Sequence, residues 1–172
     1  MNPDRGHLAR LFEGAPRFLD RLGASAPFED ETVLFATARA IAHAMPEPEQ
    51  IELIDAHPRL GAPPRTLSAL SFIEQGDGRV AAAEVADGEL VRTHAQWVAE
   101  ELGRLNEAYE ARFGFRYCVF VAGRSHEALL PALASALSAD RTSEIHRALD
   151  AVVDIAVDRH AKLSAGTPSS PS

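Results

Sequence analysis

The longest periodic stretch of the sequence runs from Glu89 to Arg112, and it constrains the fold more than any other segment. Its apolar residues recur at intervals of three and four, which places them along one broad face of an α-helix. The stretch ends at Phe113-Gly114, where a glycine suits the residue that follows a helix. The apolar residues of this face are Leu90, Val91, Val98, Leu102, Leu105 and Tyr109. We therefore predict a long amphipathic helix in this part of the chain.

Shorter segments on both sides of this stretch also carry helical signals. Acidic residues 29–31 precede an apolar pattern that Pro46 ends, and negative charge favours a helix N-terminus. Pro48 suits the first turn of the next helix, which leads to His57. Pro131 is expected to kink or delay the helix that Ser125 caps. Helices are predicted over about 4–22 as a pair interrupted by Gly14 and Pro16, over 31–45, 48–56, 71–75, 79–86 and 125–137, and from Thr142 or Ser143 to Leu163.

Two segments do not carry a helical pattern. Residues 117–121, Tyr-Cys-Val-Phe-Val, are β-branched and aromatic, but no second run of this kind is present to pair with them, so we expect an extended linker. Residues 164–172 are small, polar and rich in proline, which predicts a disordered tail. The helical domain is accordingly expected to span residues 4–163.

Length and charge limit the classes of function. A chain of 172 residues is expected to form one domain. Its 25 acidic and 17 basic residues give a net charge of −8 without a basic cluster, so nucleic acid is not expected as a partner. The apolar runs are far shorter than the roughly 20 residues of a membrane-spanning helix, so no membrane insertion is expected. The single cysteine, Cys118, and the lack of a signal-peptide pattern predict a reducing, intracellular location, the cytoplasm.

The candidate site lies between residues 57 and 75. His57 precedes Pro58, and a proline disfavours helical backbone in the residue before it, so the imidazole is expected at a helix end, where it can face a cavity. Ser71 and Glu74 lie on one turn of the next predicted helix. The intervening loop contains glycine and proline residues that fold the chain back. His57 and Glu74 can therefore share one small site.

The same residues also have structural interpretations. Ser71-x-x-Glu74 fits a capping box, in which the hydroxyl and the carboxylate bond to backbone N–H groups of the first helical turn. A histidine at a helix end is often only a polar residue that terminates the helix and has no catalytic role. From the spacing alone these interpretations are favoured over a catalytic pair, because motifs this short recur by chance.

Other chemistries are not supported by the sequence. Seven histidines are present, but no H-x-x-x-H or Cys-x-x-Cys pair occurs, so no metal site is predicted. Glycine-rich phosphate loops and Gly-x-Ser-x-Gly elbows are also absent. Cys118 lies in an apolar run that disfavours a thiolate, which predicts a buried structural thiol rather than a nucleophile. Arg159, taken alone, is by default a solvated charge.

Three motifs occur in order along the chain: His57-Pro-Arg-Leu-Gly61, Ser71-Phe-Ile-Glu-Gln75 and Leu105-Asn-Glu-Ala-Tyr109-Glu-Ala-Arg-Phe-Gly-Phe115. Together they resemble the OHCU decarboxylase family, whose members act on 2-oxo-4-hydroxy-4-carboxy-5-ureidoimidazoline (OHCU) in urate breakdown. The similarity covers nearly all of the chain except the tail. Three motifs in order are much more specific than one, so the resemblance favours the catalytic interpretation of His57 and Glu74.

The resemblance implies an all-α, single-domain bundle of about seven or eight helices with one short extended segment. It implies a homodimer that converts OHCU to (S)-allantoin without a metal or an organic cofactor. His57 matches the family's catalytic histidine, and Glu74 matches the carboxylate that works with it. Arg159 matches a family arginine more loosely. Substrate contacts, those of 118–122 largely through backbone groups, are implied for Pro58, Ser71, Phe72, Ile73, Gln75, Cys118, Val119, Phe120, Val121, Ala122 and Arg159.

Departures from the family pattern leave alternatives open. Arg116 stands where family members commonly have proline, and the stretch between Gln75 and Leu105 is longer than usual. A decarboxylase acting on a related ureido-ring substrate is therefore one alternative. A non-catalytic all-α ligand-binding protein is another, since a fold does not fix a function. The retained pair of His57 and Glu74 counts against this second alternative, because a binding protein has little need of a proton-transfer pair.

Overall fold

The computed structural model describes residues 1–62 and 88–165, and of residues 88–93 only the backbone. Within these ranges the chain forms seven helices and no strand, so the all-α prediction is confirmed. None of the seven combines the length and the apolar character that a membrane-spanning helix requires. The helices are α1 (Arg5–Phe12), α2 (Pro16–Ala24), α3 (Glu31–Ala44), α4 (Glu47–Asp55), α5 (Gly88–Phe113), α6 (His126–Ala136) and α7 (Arg141–Ala165). The predicted helices at 71–75 and 79–86 lie outside the described residues.

The chain divides into two compact units. The first consists of Met1–His57 and Ile145–Ser172, and it therefore contains α1 to α4 and most of α7. The second consists of Pro58–Glu144, with α5, α6 and the first residues of α7. His57 is thus the last residue before the chain passes from the first unit into the second.

Short polar side chains determine where helices of the first unit begin. Asp4 accepts a hydrogen bond from the amide of His7 at 2.7 Å, and Asp30 accepts one from the amide of Val33 at 2.9 Å. Each bond satisfies an N–H group that the first turn of a helix leaves without an intrahelical partner. The starts and ends of α3 and α4 agree with the predicted positions to within two residues.

The position of α4 matters most, because this helix leads to His57. Leu53 and Ile54 of α4 are fully buried, and burial of such a side chain contributes about 1.5–3 kcal/mol. Gln50 joins α4 to the end of α3, since its side-chain amide donates to the carbonyls of Ala42 and His43, both at 3.1 Å. Other buried apolar side chains of the first unit are Leu8, Leu11, Phe12, Phe18, Leu22, Leu34, Ala38, Leu149, Val152 and Ala156.

The second unit has an aromatic cluster centred on Tyr109, at the C-terminal end of α5. The Tyr109 ring lies 4.6 Å from that of Phe113, 5.7 Å from that of Phe115 and 5.1 Å from that of Tyr117, measured between ring centroids. Its hydroxyl donates to the carboxylate of Glu144 at 2.7 Å, and both side chains are buried. The motif from Leu105 to Phe115 is therefore part of the core of this unit.

The extended segment after α5 agrees with its prediction. Residues 116–121 have no regular secondary structure and pair with no strand among the described residues. A run of β-prone residues without a partner cannot satisfy its backbone groups in a sheet, so propensity alone does not make it a strand.

Three details of the later helices differ from the predictions. α7 begins at Arg141, ahead of Thr142 and Ser143, because Asp140 caps it by accepting from the amide of Ser143 at 2.9 Å. Pro131 does not delay α6, which begins directly after the predicted cap Ser125 and contains the proline inside it. The proline nitrogen cannot donate an intrahelical hydrogen bond, and a kink at Pro131, the other expected effect, stays a prediction. α7 also extends to Ala165, two residues into the predicted tail, and 166–172 lie outside the described residues.

Candidate functional site

His57 lies just beyond α4, at a helix end, as predicted from the proline that follows it. Its amide donates to the carbonyl of Ile54 at 3.1 Å, and its side chain is only 3% exposed. The ring nitrogen Nδ1 lies 3.2 Å from the carbonyl oxygen of Leu53. Because a carbonyl can only accept, Nδ1–H is the donor, and Nε2 is then the basic nitrogen of the neutral ring.

Arg159, on α7, is not the solvated charge that its sequence position suggests. Its side chain is 1% exposed and forms an ion pair with Glu13, with Nη2 donating to Oε1 at 2.8 Å. Nη1 donates to the carbonyl of Leu11 at 3.1 Å. The guanidinium is thus held at the C-terminal end of α1, where carbonyl groups have no intrahelical donor.

These groups set the protonation state of His57. Burial and the positive charge of Arg159 lower the pKa of His57 to about 4, whereas the charge of Glu13 and the hydrogen bond to Leu53 raise it. Desolvation disfavours the charged imidazolium, and so does a nearby cation. His57 is therefore neutral at pH 7, and Nε2 is the ring nitrogen that can take up a proton.

Glu13 was not selected from the sequence. It follows the last residue of α1 and has a left-handed backbone conformation, with φ 55°, as does Gly14 with φ 82°. Its carboxylate is 17% exposed. The only local signal is a glutamate directly before a glycine at the end of a short helix. Its partner lies 146 residues further along the chain, so no local pattern indicates the ion pair.

The loop that follows His57 is fixed to α5 within the second unit. Arg59 forms a bidentate ion pair with Glu110, with nitrogen–oxygen distances of 2.7 and 2.6 Å. The side-chain amide of Asn106 donates to the carbonyl of Leu60 at 3.0 Å. Gly61 has φ 78°, and a Cβ atom there would lie 2.5 Å from Cδ2 of Leu102. A bidentate pair and a close backbone approach both restrict the path of this loop.

A cavity of about 350 Å³ opens beside this loop. It is lined by Pro58, Arg59, Ala62, Glu110 and Arg116. Its described lining includes two guanidinium groups, of which that of Arg59 is paired with the carboxylate of Glu110. The cavity contains a predicted substrate contact, Pro58, and also Arg116, the residue that departs from the family pattern.

The predicted substrate-contact segment 118–122 lies in the second unit. Cys118 is buried and forms no disulfide, in agreement with the predicted buried thiol. The guanidinium of Arg124 donates to the carbonyl of Phe120 at 2.6 Å and to that of Val121 at 3.0 Å. Two of the backbone carbonyls expected to contact substrate therefore already accept hydrogen bonds from Arg124, another residue that the sequence analysis did not select.

The structure brings together only some of the predicted site residues. His57 and Arg159 belong to one buried group in the first unit, whereas Pro58 and the segment 118–122, Cys118 to Ala122, belong to the second. The pairing of His57 with a carboxylate on the next helix remains a prediction. Outside the described residues lie Ser71, Phe72, Ile73, Glu74 and Gln75.

Known proteins resemble this chain over most of its length. The 2-oxo-4-hydroxy-4-carboxy-5-ureidoimidazoline decarboxylase of Haloferax volcanii is 30% identical over 148 residues, which are 85% of this chain and 80% of that protein. The uric acid degradation bifunctional protein PucL of Bacillus subtilis (strain 168) is 31% identical over 149 residues, 87% of this chain. The chain spans only 28% of the length of PucL.

Solved structures show the same fold. A crystal structure of OHCU decarboxylase in the presence of (S)-allantoin matches with a TM-score of 0.65 and 22% identity, over 92% of this chain and 98% of that one. A crystal structure of (S)-allantoin synthase matches with a TM-score of 0.63 and 21% identity, over 92% of this chain and 49% of that one. The sequence model of the OHCU decarboxylase family matches residues 5–161. The chain therefore belongs to the OHCU decarboxylase family.

Proposed function

We propose that this chain is a cofactor-independent carboxy-lyase that converts OHCU to (S)-allantoin in urate breakdown, with His57 as the group that moves the proton. Family membership and the Haloferax relative support the reaction. The observation that supports the role of His57 is its buried, neutral imidazole with Nδ1–H bound to the Leu53 carbonyl. A histidine held in this way has one defined basic nitrogen, and such a group suits general acid–base catalysis.

The substrate's chemistry requires a proton to be moved in a controlled way. The bond between the ring carbon and the carboxylate breaks, carbon dioxide leaves, and the electron pair moves into the ring towards the adjacent C=N group. The 4-hydroxyl loses its proton to Nε2 of His57 as its C–O bond becomes a carbonyl. The imidazolium then delivers that proton to the neighbouring ring carbon from one face, and the ring nitrogen takes a second proton from water. Because the proton reaches the ring carbon from one face only, one enantiomer of allantoin is formed.

Arg159 is the proposed clamp for the substrate's negative charge. A strong ion pair with the departing carboxylate would stabilise the ground state as much as the transition state, and this would not accelerate the chemical step. Its proposed role is therefore orientation. Glu74 is proposed to orient His57 or to favour its charged form, because a carboxylate near an imidazole stabilises the imidazolium.

The test of this function is decarboxylation of freshly generated OHCU, followed by circular dichroism of the allantoin formed. We expect (S)-allantoin in enantiomeric excess and at a rate above that of the spontaneous reaction. Addition of a chelator should leave that rate unchanged. Racemic allantoin formed at the spontaneous rate would reject the proposed function and favour a non-catalytic binding protein.

A related ureido-ring substrate is a second candidate, because Arg116, which departs from the family pattern, lines the cavity beside Pro58. The same assay with ring-substituted ureidoimidazolines distinguishes the two. The candidate is supported if kcat/KM for an analogue exceeds that for OHCU and Arg116→Pro reverses this order.

A homodimer is also proposed on the basis of the family resemblance, and a cytoplasmic location on the basis of the single cysteine, which favours a reducing compartment. Multi-angle light scattering of the purified chain tests the first, and a mass of twice 18.5 kDa is the expected result. Fractionation of cells that express the chain at its natural level tests the second.

A further inference from the structure

We propose that Glu13 is a positioning residue for the reaction: its carboxylate fixes the guanidinium of Arg159 and places a negative charge next to His57. This inference rests on the proposed function, because it concerns the same histidine. It adds a residue from the N-terminal part of the chain to a site whose predicted members all lie at or after His57.

The contacts of Arg159 indicate why a carboxylate is needed at this position. The arginine side chain is 1% exposed, and a buried charge is strongly destabilising unless an opposite charge and hydrogen bonds compensate it. The Leu11 carbonyl supplies a hydrogen bond at 3.1 Å, and Glu13 supplies an opposite charge at 2.8 Å. Loss of the Glu13 carboxylate would therefore remove both a charge and a hydrogen bond that hold the guanidinium in place.

The backbone conformation of Glu13 also supports a functional role for this residue. Residues that follow a helix in a left-handed conformation are usually glycine, because a Cβ atom costs about 1–2 kcal/mol there. Here a glutamate takes this conformation, with φ 55°, although the next residue is a glycine. The buried ion pair offsets the strain, and strained residues of this kind cluster at functional sites.

The charge of Glu13 also reduces the electrostatic cost of protonating His57 in the proposed mechanism. When His57 accepts a proton, a second cation forms in a buried place that already contains Arg159. Within residues 1–62 and 88–165, groups from three elements act on His57: Arg159 from α7, Glu13 from the end of α1 and the Leu53 carbonyl from α4. Glu13 contributes a full negative charge, and it therefore lowers the cost of the imidazolium.

The test is an NMR titration of His57 in the isotopically labelled full chain, without substrate. Glu13→Gln should lower the pKa of His57, and Arg159→Gln should raise it. Glu49→Gln is the matched control, because Glu49 has a similar exposure of 19% and pairs with Arg21 at 2.9 Å, but that arginine is 48% exposed. The proposal is wrong if Glu13→Gln shifts the His57 titration no more than Glu49→Gln does.

A second comparison covers the case in which Glu13→Gln alone does not fold. The double variant Glu13→Gln/Arg159→Gln leaves no unpaired buried cation, and its His57 pKa should lie below that of Arg159→Gln alone. Equal pKa values in these two proteins would overturn the proposal.

Activity provides an independent readout in the folded variants. Glu13→Gln should reduce turnover per folded molecule by up to about 100-fold, which is the loss expected when catalytic groups are displaced by about 1 Å. It should also lower the enantiomeric excess of allantoin. Glu13→Asp should restore part of the turnover and part of the enantiomeric excess. A merely structural role would lower the folded fraction and leave the enantiomeric excess of the enzymatic product unchanged. If the wild-type chain does not act on OHCU, the proposed function fails, but the NMR comparison still decides the role of Glu13.

Discussion

The residues of the site differ in how far their positions follow from local sequence. His57 could be placed at a helix end because the proline rule acts between neighbouring residues. Burial of Arg159 and its pairing with Glu13 could not be predicted, because the two residues are 146 positions apart and meet only in the folded chain. The hydrogen bonds of Arg124 to the extended segment were missed for a different reason. Arg124 is close to this segment in sequence, but the direction of its side chain depends on the turn that precedes α6.

The low pKa of His57 predicts a pH dependence of stability. Between pH 6.5 and about 4 the unfolded chain binds a proton at His57 that the folded chain does not bind, so the free energy of unfolding decreases as the pH falls through this window. The stabilisation is fully present above pH 6.5. Between pH 7 and pH 5 this one group should remove about 2 kcal/mol of stability.

Urea unfolding of the wild type and His57→Gln at pH 7 and pH 5 measures this contribution. The wild type should lose about 2 kcal/mol more than the variant does, because all other titrating groups are common to both proteins. Equal losses in the two proteins would mean that His57 is not desolvated in the folded chain.

At the scale of elements, the end of α4 and the loop after it position the site. α4 is held by its buried Leu53 and Ile54 and by the amide of Gln50. The loop is held by the pair of Arg59 and Glu110 and by the close approach of Gly61 to α5. The helix α4 positions His57, and the loop determines the path of the chain after His57.

Gly61 therefore provides a test of the loop. Gly61→Ala should reduce the free energy of unfolding by more than the roughly 1–2 kcal/mol that a Cβ costs at positive φ, because its methyl group would also contact Leu102. Gly123→Ala is the matched control, with φ 73° and nothing within 4 Å of the added Cβ. Thermal and urea unfolding of both variants gives the two costs. Equal destabilisation would show that the loop is not packed tightly on α5.

The elements themselves were predictable to different degrees. The long helix was expected over Glu89–Arg112 and extends over Gly88–Phe113, because many periodic positions support one interpretation. The first residues of helices were predicted less closely. The start of α7, for example, depends on which of several short polar residues caps the helix. The extended segment was predicted from the absence of a partner strand, which is a property of the whole sequence.

At the scale of the whole molecule, the fold class and the family follow from the sequence, whereas the site follows only in part. Three ordered motifs identified the family, and the family model and the solved structures agree with them. The motif around Tyr109 belongs to the core of its unit, so its presence indicates the fold more directly than the reaction. The proposed chemistry depends on how His57, Arg159 and Glu13 meet in the first unit, and motif order contains no information about that contact.

The central claim is that His57 transfers the proton in a stereoselective decarboxylation. The most direct measurement compares wild type, His57→Gln and the surface control His94→Gln, whose side chain is 57% exposed, in single-turnover conversion of fresh OHCU with circular dichroism of the product. We predict that His57→Gln keeps its native helix content, loses at least about 100-fold in rate and yields racemic allantoin, while His94→Gln behaves as wild type. A folded His57→Gln protein that forms (S)-allantoin at the wild-type rate would contradict the claim.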